Sequence, residues 1–272
     1  MIRLIVTDID GTLVPEGGSY VNPEYMSVIR GLLDLGVQFA AASGRQASSI
    51  DAVFHELKDR IYYLGDNGAC IQKGGVTVKE VRMGREDTLQ LLKELREISG
   101  QRLLVSVKEG YYTDDPDEGF RRLVFEEYKG VGGVVEHVED YADACIKLSL
   151  YCEGGARGIF DQLSDHWKER FAINVSGARW VDINSFESTK GSAVQWLQET
   201  YGITPEETVV FGDNYNDISM MKRAVRSYAS ELSNEEIRAH AAHVVPSYEK
   251  DGVLMVLKEI LEEVRHEKQS GT

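Results

Sequence analysis

The chain has 272 residues, a length that predicts either one large α/β unit or a core with a second, smaller domain. Hydrophobic residues make up 42% of it and charged residues 28%, which is ordinary globular usage, so we expect it to fold throughout except for a polar tail at 267–272. Its formal net charge of -15 disfavours nucleic acid and anionic membranes as partners, because both would be repelled.

The cysteines and the apolar segments indicate the cellular compartment of the protein. Cys70, Cys145 and Cys152 are odd in number, widely spaced and without a CxxC pair, which indicates neither a disulfide framework nor a zinc site. No apolar run approaches the roughly 20 residues of a membrane span, and Asp8 interrupts the first one, so we expect no signal peptide. These features favour a soluble, cytoplasmic protein.

Apolar runs and amphipathic segments alternate at both ends of the chain. Asn22-Pro23 opens the first predicted helix and Gly36 stops it. Buried strands are predicted at 2–7, 37–42, 61–64 and 208–211, and further helices at 46–57, 191–201 and 252–264. This alternation predicts a Rossmann-like, doubly wound α/β core, with a parallel sheet and helices on both faces.

The middle of the chain has a different pattern. Strands are predicted at 102–107, 146–151, 171–175 and 180–183, with helices at 86–98 and 158–167. We therefore expect an antiparallel α+β insertion at 84–183, within a core made of 1–83 and 184–272.

Three polar turns follow predicted parallel strands, at Asp8, Ser43 and Asp213. Ligands of open α/β sheets bind outside the carboxyl ends of the strands, so these distant residues should meet at one edge. If the ligand is an anion, a divalent cation with one or two basic side chains would supply the positive charge that this acidic chain otherwise lacks.

Asp8 and Asp10 could supply the nucleophile and the general acid and base for phosphate transfer. The glycine turn at Gly11 can bring both carboxylates toward one ligand. One carboxylate can then attack phosphorus, while the other protonates the leaving oxygen and later takes a proton from water. The same Asp-Gly pattern also makes ordinary turns.

Asp213, Asn216 and Asp217 follow a strand that ends in glycine, and they offer hard oxygen ligands to magnesium. A helix N-cap with acidic residues in its first turn explains the same pattern. Ser43 precedes a helix, so its hydroxyl and the neighbouring N–H groups could bind phosphate or simply cap that helix. Lys190 could hold the phosphate, although a single lysine is commonly a solvated surface residue.

Taken in order, these segments resemble the four motifs of the haloacid dehalogenase-like hydrolase superfamily. The motifs are Asp8-Ile-Asp-Gly-Thr12, Ser43-Gly44-Arg45, Lys190-Gly191 and Gly212-Asp-Asn-Tyr-Asn-Asp217. Asp66-Asn67-Gly68-Ala69 is similar to the Cof-type subfamily, which carries a type II cap domain where this chain has its insertion.

The resemblance implies a Mg²⁺-dependent phosphatase that works through an aspartyl-phosphate, with Asp8 as nucleophile and Asp10 as acid and base. It implies that Mg²⁺ is held by Asp8, the Asp10 carbonyl and Asp213, and that Asp217 belongs to the same set of metal-binding residues and supports their arrangement. The substrate and its phosphate would be bound by residues from all four segments, namely Thr12, Ser43, Gly44, Arg45, Asn67, Lys190 and Asn216.

We expect the substrate to be a small phosphate ester, such as a sugar phosphate or a phosphorylated cofactor like pyridoxal phosphate. A phosphosugar mutase and a non-catalytic phospho-receiver module are the alternatives, and the oligomeric state is open. His240 and His243 have a helical i, i+3 spacing but are interpreted as surface residues. Tyr111 and Tyr112 receive no assignment.

Overall fold

The computed structural model describes residues 1–128 and 130–270. In these residues the strands, in chain order, are β1 (Leu4–Asp8), β2 (Gln38–Ala42), β3 (Tyr62–Gly65), β4 (Cys70–Lys73), β5 (Val76–Glu80), β6 (Gln101–Val107), β7 (Gly110–Thr113), β8 (Gly132–Val134), β9 (Lys147–Cys152), β10 (Ala172–Gly177), β11 (Trp180–Asn184), β12 (Thr208–Gly212), β13 (Arg226–Ser230) and β14 (His243–Val245). The α-helices are α1 (Glu24–Asp34), α2 (Ala47–Phe54), α3 (Arg85–Leu95), α4 (Glu118–Arg122), α5 (Ala156–Trp167), α6 (Lys190–Tyr201), α7 (Ile218–Met221), α8 (Glu235–Arg238) and α9 (Gly252–Ser270).

The larger sheet has the strand order β14-β13-β12-β1-β2-β3-β4-β5, and every pair from β14 to β3 is parallel. All five residues of β1 are buried, as expected for a central strand covered on both faces. One face packs against α1, α2 and α9, and the other against α6 and α7. The predicted doubly wound α/β core is confirmed.

The parallel core sheet has an antiparallel addition at one end, which the sequence analysis did not predict. Strands β4 and β5 add to β3 as an antiparallel hairpin, joined by Gly74 and Gly75, which both have positive φ. Val76 and Val78 of β5 are exposed, so the alternation Val76-Thr77-Val78-Lys79 does not mark a buried face, and the strand lies at the edge of the sheet.

The predicted irregular tail was also wrong, because α9 continues to Ser270. Its buried face ends at Val264, but glutamate, lysine and glutamine are good helix formers and extend the helix without further packing. Residues 271–272 of the predicted tail lie outside the described residues. The helical spacing assigned to His240 and His243 was wrong too, since His243 starts β14, although both side chains are exposed as interpreted.

The smaller sheet, called here the cap sheet, has the order β10-β11-β9-β6-β7-β8. Its pairs are antiparallel except β7–β8, which is parallel and departs from the predicted arrangement. Alternate residues of its strands face opposite ways. On β9, Leu148 and Leu150 pack in a core with α3 and α5, which leaves Lys147 and Ser149 on the opposite face. The domain boundaries at residues 83/84 and 183/184 remain a prediction.

Candidate active site

The sheet topology brings the predicted turns together. In the larger sheet β1 lies between β12 and β2 and is parallel to both, so Asp8, Ser43 and Asp213 stand at the same ends of neighbouring strands. A cavity of about 130 Å³ lies between this edge and the cap sheet. Seven of the predicted site residues line it, namely Asp8, Asp10, Ser43, Gly44, Arg45, Lys190 and Asn216.

A cluster of three carboxylates lies beside the cavity. Oxygen atoms of Asp8, Asp213 and Asp217 are all within 4.8 Å of one another. The Thr12 hydroxyl donates a hydrogen bond to Asp213 Oδ1 at 2.8 Å. Gly11, at φ +81°, packs so closely that a Cβ there would lie 2.2 Å from Asp213 Oδ2. Thus the Asp-Gly-Thr turn shapes the position of Asp213.

The electrostatics of this cluster favour a bound cation. Burial raises the pKa of Asp8 well above its usual range, although the Lys190 ammonium opposes the shift. Burial, with repulsion from Asp217, also raises the pKa of Asp213 to about 7. Carboxylates that are packed together with a single cation beside them, and that offer only hard oxygen donors, fit Mg²⁺.

Lys190 links Asp8, the nucleophile candidate, to Asp217 within the three-carboxylate cluster. Its Nζ donates to Asp8 Oδ1 at 2.5 Å and to Asp217 Oδ1 at 2.6 Å, and the residue is only 1% exposed. Burial opposes the charge on Lys190, but the two carboxylates outweigh this effect and raise its pKa. The other oxygen of Asp217 accepts the N–H groups of Asp213 and Asn214, both at 2.9 Å. The Asp217 carboxylate therefore orients both Lys190 and the turn that carries Asp213.

Ser43 and Arg45 belong to one short loop before α2. Ser43 is buried, and its Oγ accepts the backbone N–H of Arg45 at 3.0 Å, so the hydroxyl hydrogen remains available to a phosphate oxygen. Arg45 Nε donates to Asp10 Oδ2 at 2.6 Å, Nη2 donates to Asp10 Oδ1, and Gly17 N–H donates to Asp10 Oδ1 at 2.9 Å. In this conformation Arg45 holds the Asp10 carboxylate apart from the three-carboxylate cluster.

Thr12 and Asn67 do not line the cavity. Thr12 reaches Asp213 instead, and Asn67, at φ +59°, is buried behind the wall. The Asn67 amide donates to Asp182 Oδ2 at 2.8 Å, while its oxygen accepts from Asn216 Nδ2 at 3.0 Å. Asn67 therefore joins the core turn after β12 to the cap sheet.

The sequence analysis missed the residues that the cap sheet and the loop after Asp10 contribute. Lys147, Ser149, Trp180 and Asp182 project from the cap-sheet face opposite the apolar core and line the cavity, together with Tyr111, Tyr128 and Glu16. The period-two pattern of β9, polar at Lys147 and Ser149 and apolar between them, was the available signal.

Comparison with known proteins agrees with this geometry. Residues 5–257 match the family model described as haloacid dehalogenase-like hydrolase. The chain belongs to this family. The match covers most of the sequence and confirms both the predicted resemblance and the prediction that the chain is an enzyme of this hydrolase class. It places the chain among relatives whose functions can guide a proposal.

The curated relatives of this hydrolase are similar over nearly the whole chain. The 5-amino-6-(5-phospho-D-ribitylamino)uracil phosphatase YbjI of Escherichia coli K12 is 25% identical over 264 residues, which is 96% of each chain. Phosphatase YwpJ of Bacillus subtilis 168 is 22% identical and covers 96% of this chain and 100% of its own.

Solved structures share the fold. A crystal structure from Eubacterium rectale has a TM-score of 0.85 and 29% identity, and the match covers 95% of this chain and 99% of that one. The subclass IIB sugar phosphatase BT4131 has a TM-score of 0.81 at 22% identity, over 95% and 98% of the two chains. Within the described residues of this hydrolase, every helix is too short or too polar to cross a bilayer.

Proposed function

We propose that this hydrolase is a Mg²⁺-dependent phosphatase that releases phosphate from small phosphorylated metabolites by way of a phosphorylated Asp8. The observation that carries the proposal is the position of Asp8. Its carboxylate lines the cavity, accepts a hydrogen bond from Lys190 Nζ and belongs to the three-carboxylate cluster. Relatives named as phosphatases over nearly the full length of the chain support it.

In the first step Asp8 acts as the nucleophile. One carboxylate oxygen forms a bond to phosphorus while the bond from phosphorus to the ester oxygen breaks. Asp10, protonated, gives its proton to the departing oxygen, so an alcohol leaves and Asp8 carries the phosphoryl group. Because Arg45 holds both Asp10 oxygens in this conformation, Asp10 has to leave that ion pair before it can act as the acid.

In the second step water replaces Asp8. Asp10, now a carboxylate, takes a proton from the water, whose oxygen attacks phosphorus while the bond to Asp8 breaks. Inorganic phosphate leaves, and both aspartates return to their starting protonation. The overall reaction is a phosphate ester plus water to an alcohol plus phosphate.

Ser43 and Lys190 bind the phosphoryl oxygens through a hydroxyl and an ammonium group that already face the cavity. Asp8, Asp213 and the Asp10 carbonyl would hold Mg²⁺, whose charge would offset the repulsion between the nucleophile and a phosphate dianion. Asp217 maintains this arrangement by orienting Lys190. The cap sheet covers the site, which keeps bulk water from the reacting atoms.

Substitution of the nucleophile tests this proposal. Asp8→Asn should lower phosphate release from p-nitrophenyl phosphate by at least about a thousandfold, because an amide does not attack phosphorus. Asp34→Asn, at an exposed helix position, is the matched control and should retain wild-type activity. EDTA should abolish release, and added Mg²⁺ should restore it. Full activity of Asp8→Asn would contradict the proposal, and isomerisation of a hexose phosphate without phosphate release would favour a mutase.

A further inference from the structure

The cap sheet and the chain after α4 give the cavity an aromatic wall. Trp180 and Tyr128 both line it, with ring centroids 6.1 Å apart and planes inclined by 48°. Behind them, Tyr151 and Phe120 pack against the indole at centroid distances of 5.2 and 6.2 Å. The Trp180 ring is therefore held in one orientation by other rings, and a flat ligand ring can stack on it without reordering the wall.

Glu16 adds a carboxylate next to this wall. A Cβ placed on Gly177 would lie 2.6 Å from Glu16 Oε1 and 3.5 Å from Trp180 Cδ1, so the carboxylate and the indole meet beside that glycine. Glu16 also lines the cavity, yet it forms no hydrogen bond or ion pair with any residue in the described part of the chain. An ionised carboxylate only accepts hydrogen bonds, so it suits a ligand with N–H or O–H donors.

The remaining charges around the cavity oppose a second anionic group. Beyond the phosphate-binding groups, the wall carries Glu16, Asp10 and Asp182, while Lys147 is already paired with Asp66 at 3.0 Å. A second phosphate on the organic part would face these carboxylates, and Arg45, a further basic side chain of the lining, is paired with Asp10 in this conformation.

We propose, on the basis of the phosphatase function above, that this site prefers monophosphate esters whose organic part carries one flat unsaturated ring with hydrogen-bond donors. The ring stacks on Trp180 and Tyr128, and its donors bond to Glu16.

Three phosphate esters separate the ring preference from the charge preference. We would measure kcat/KM for pyridoxamine 5′-phosphate, fructose 6-phosphate and fructose 1,6-bisphosphate with Mg²⁺ present. Pyridoxamine 5′-phosphate should exceed fructose 6-phosphate by about tenfold or more, which is the size of a base–aromatic stacking effect. Fructose 6-phosphate should in turn exceed the bisphosphate.

Variants of the wall test which groups are responsible. Trp180→Leu should lower the pyridoxamine-to-fructose ratio by about tenfold, whereas Trp180→Phe, which keeps a flat ring, should retain most of it. Glu16→Gln should raise the relative rate for the bisphosphate by about two- to fivefold. Phe186→Ala removes an exposed aromatic ring outside the cavity and should leave both ratios unchanged.

The outcomes distinguish the two proposals. Equal kcat/KM for the three esters, or a ratio that Trp180→Leu and Glu16→Gln both leave unchanged, would overturn the ring preference and leave the phosphatase function intact. Absence of phosphate release from these esters and from p-nitrophenyl phosphate would overturn the phosphatase function and the ring preference together.

Discussion

At the scale of single residues, the three-carboxylate cluster packs against a glycine position that has no room for a side chain. Gly11 combines a positive φ with a backbone position against the Asp213 carboxylate. Gly75 also has a positive φ, of +74°, but a Cβ there would have nothing within 4 Å. Alanine variants of the two glycines therefore separate the cost of backbone strain from the effect of displacing Asp213, the proposed metal ligand.

We predict that Gly11→Ala raises the Mg²⁺ concentration needed for half-maximal activity by about tenfold or more, because the new methyl group pushes Asp213 away. Gly75→Ala should destabilise the fold by about 1 kcal/mol through strain alone and leave the Mg²⁺ requirement unchanged. Magnesium titrations of activity, with urea unfolding of each variant, measure both effects. Equal Mg²⁺ requirements for the two variants would contradict this role of Gly11.

The raised pKa of Asp213 predicts a pH-dependent stabilisation by Mg²⁺. Because burial and Asp217 raise the Asp213 pKa to about 7 without metal, its protonated form stabilises the fold at low pH, and that stability is lost as the pH rises through about 7. Metal binding requires the deprotonated form. The increase in Tm on adding Mg²⁺ should therefore be larger at pH 8 than at pH 5.5, as measured by thermal unfolding with Mg²⁺ and with EDTA. An increase that is equal at both pH values would contradict it.

At the scale of elements, β9 of the cap sheet is joined to the core through Lys147. Its Nζ donates to the Gly44 carbonyl at 2.6 Å and pairs with Asp66 Oδ1 at 3.0 Å, and both charged side chains are buried. Burial raises the pKa of Asp66, and the Lys147 ammonium opposes this shift. The cap sheet thus neutralises a core carboxylate and contacts the loop that carries Ser43.

We predict that Lys147→Met destabilises the protein by about 3–5 kcal/mol, because it leaves Asp66 and Asp182 buried without their shared cation. The double variant Asp66→Asn with Lys147→Met removes the charges of this pair but leaves Asp182 in place, so it should recover part of that loss. Urea unfolding of the two variants is the measurement. A double variant no more stable than Lys147→Met would show that the ion pair does not link the two sheets as described.

The sequence predicted the parallel strands and the order of the motifs, because buried apolar runs ending in Asp8, Ser43 or Gly212 have few alternative structures. It did not reveal the β4–β5 hairpin, whose edge strand is largely exposed. Nor did it reveal the cavity face of the cap sheet, since Lys147, Trp180 and Asp182 become neighbours only after antiparallel pairing. Arg45 was placed in the phosphate loop, but its bonds to Asp10 depend on a contact that motif spacing does not report.

At the scale of the whole molecule, a largely parallel sheet and a largely antiparallel cap sheet line the same cavity. The larger sheet brings segments that are distant in sequence together along one edge. For example, Thr12 and Asp213 form a hydrogen bond although they are 201 residues apart. The cap sheet lies over that edge and supplies the aromatic and acidic wall. In the proposed function, the catalytic groups and the groups that select the substrate lie on different parts of the chain, so substitutions on the cap sheet should change substrate preference more than the identity of the reaction.

The central claim is that phosphate passes through Asp8, and trapping that species tests it most directly. The enzyme would be mixed with a phosphate ester and Mg²⁺, quenched in acid during turnover, digested and examined by mass spectrometry. We predict a phosphorylated peptide in which Asp8 carries the phosphate, and its loss in Asp8→Asn and after hydroxylamine treatment. Steady phosphate release with no phosphorylated residue, or with phosphate on a residue other than Asp8, would contradict the account.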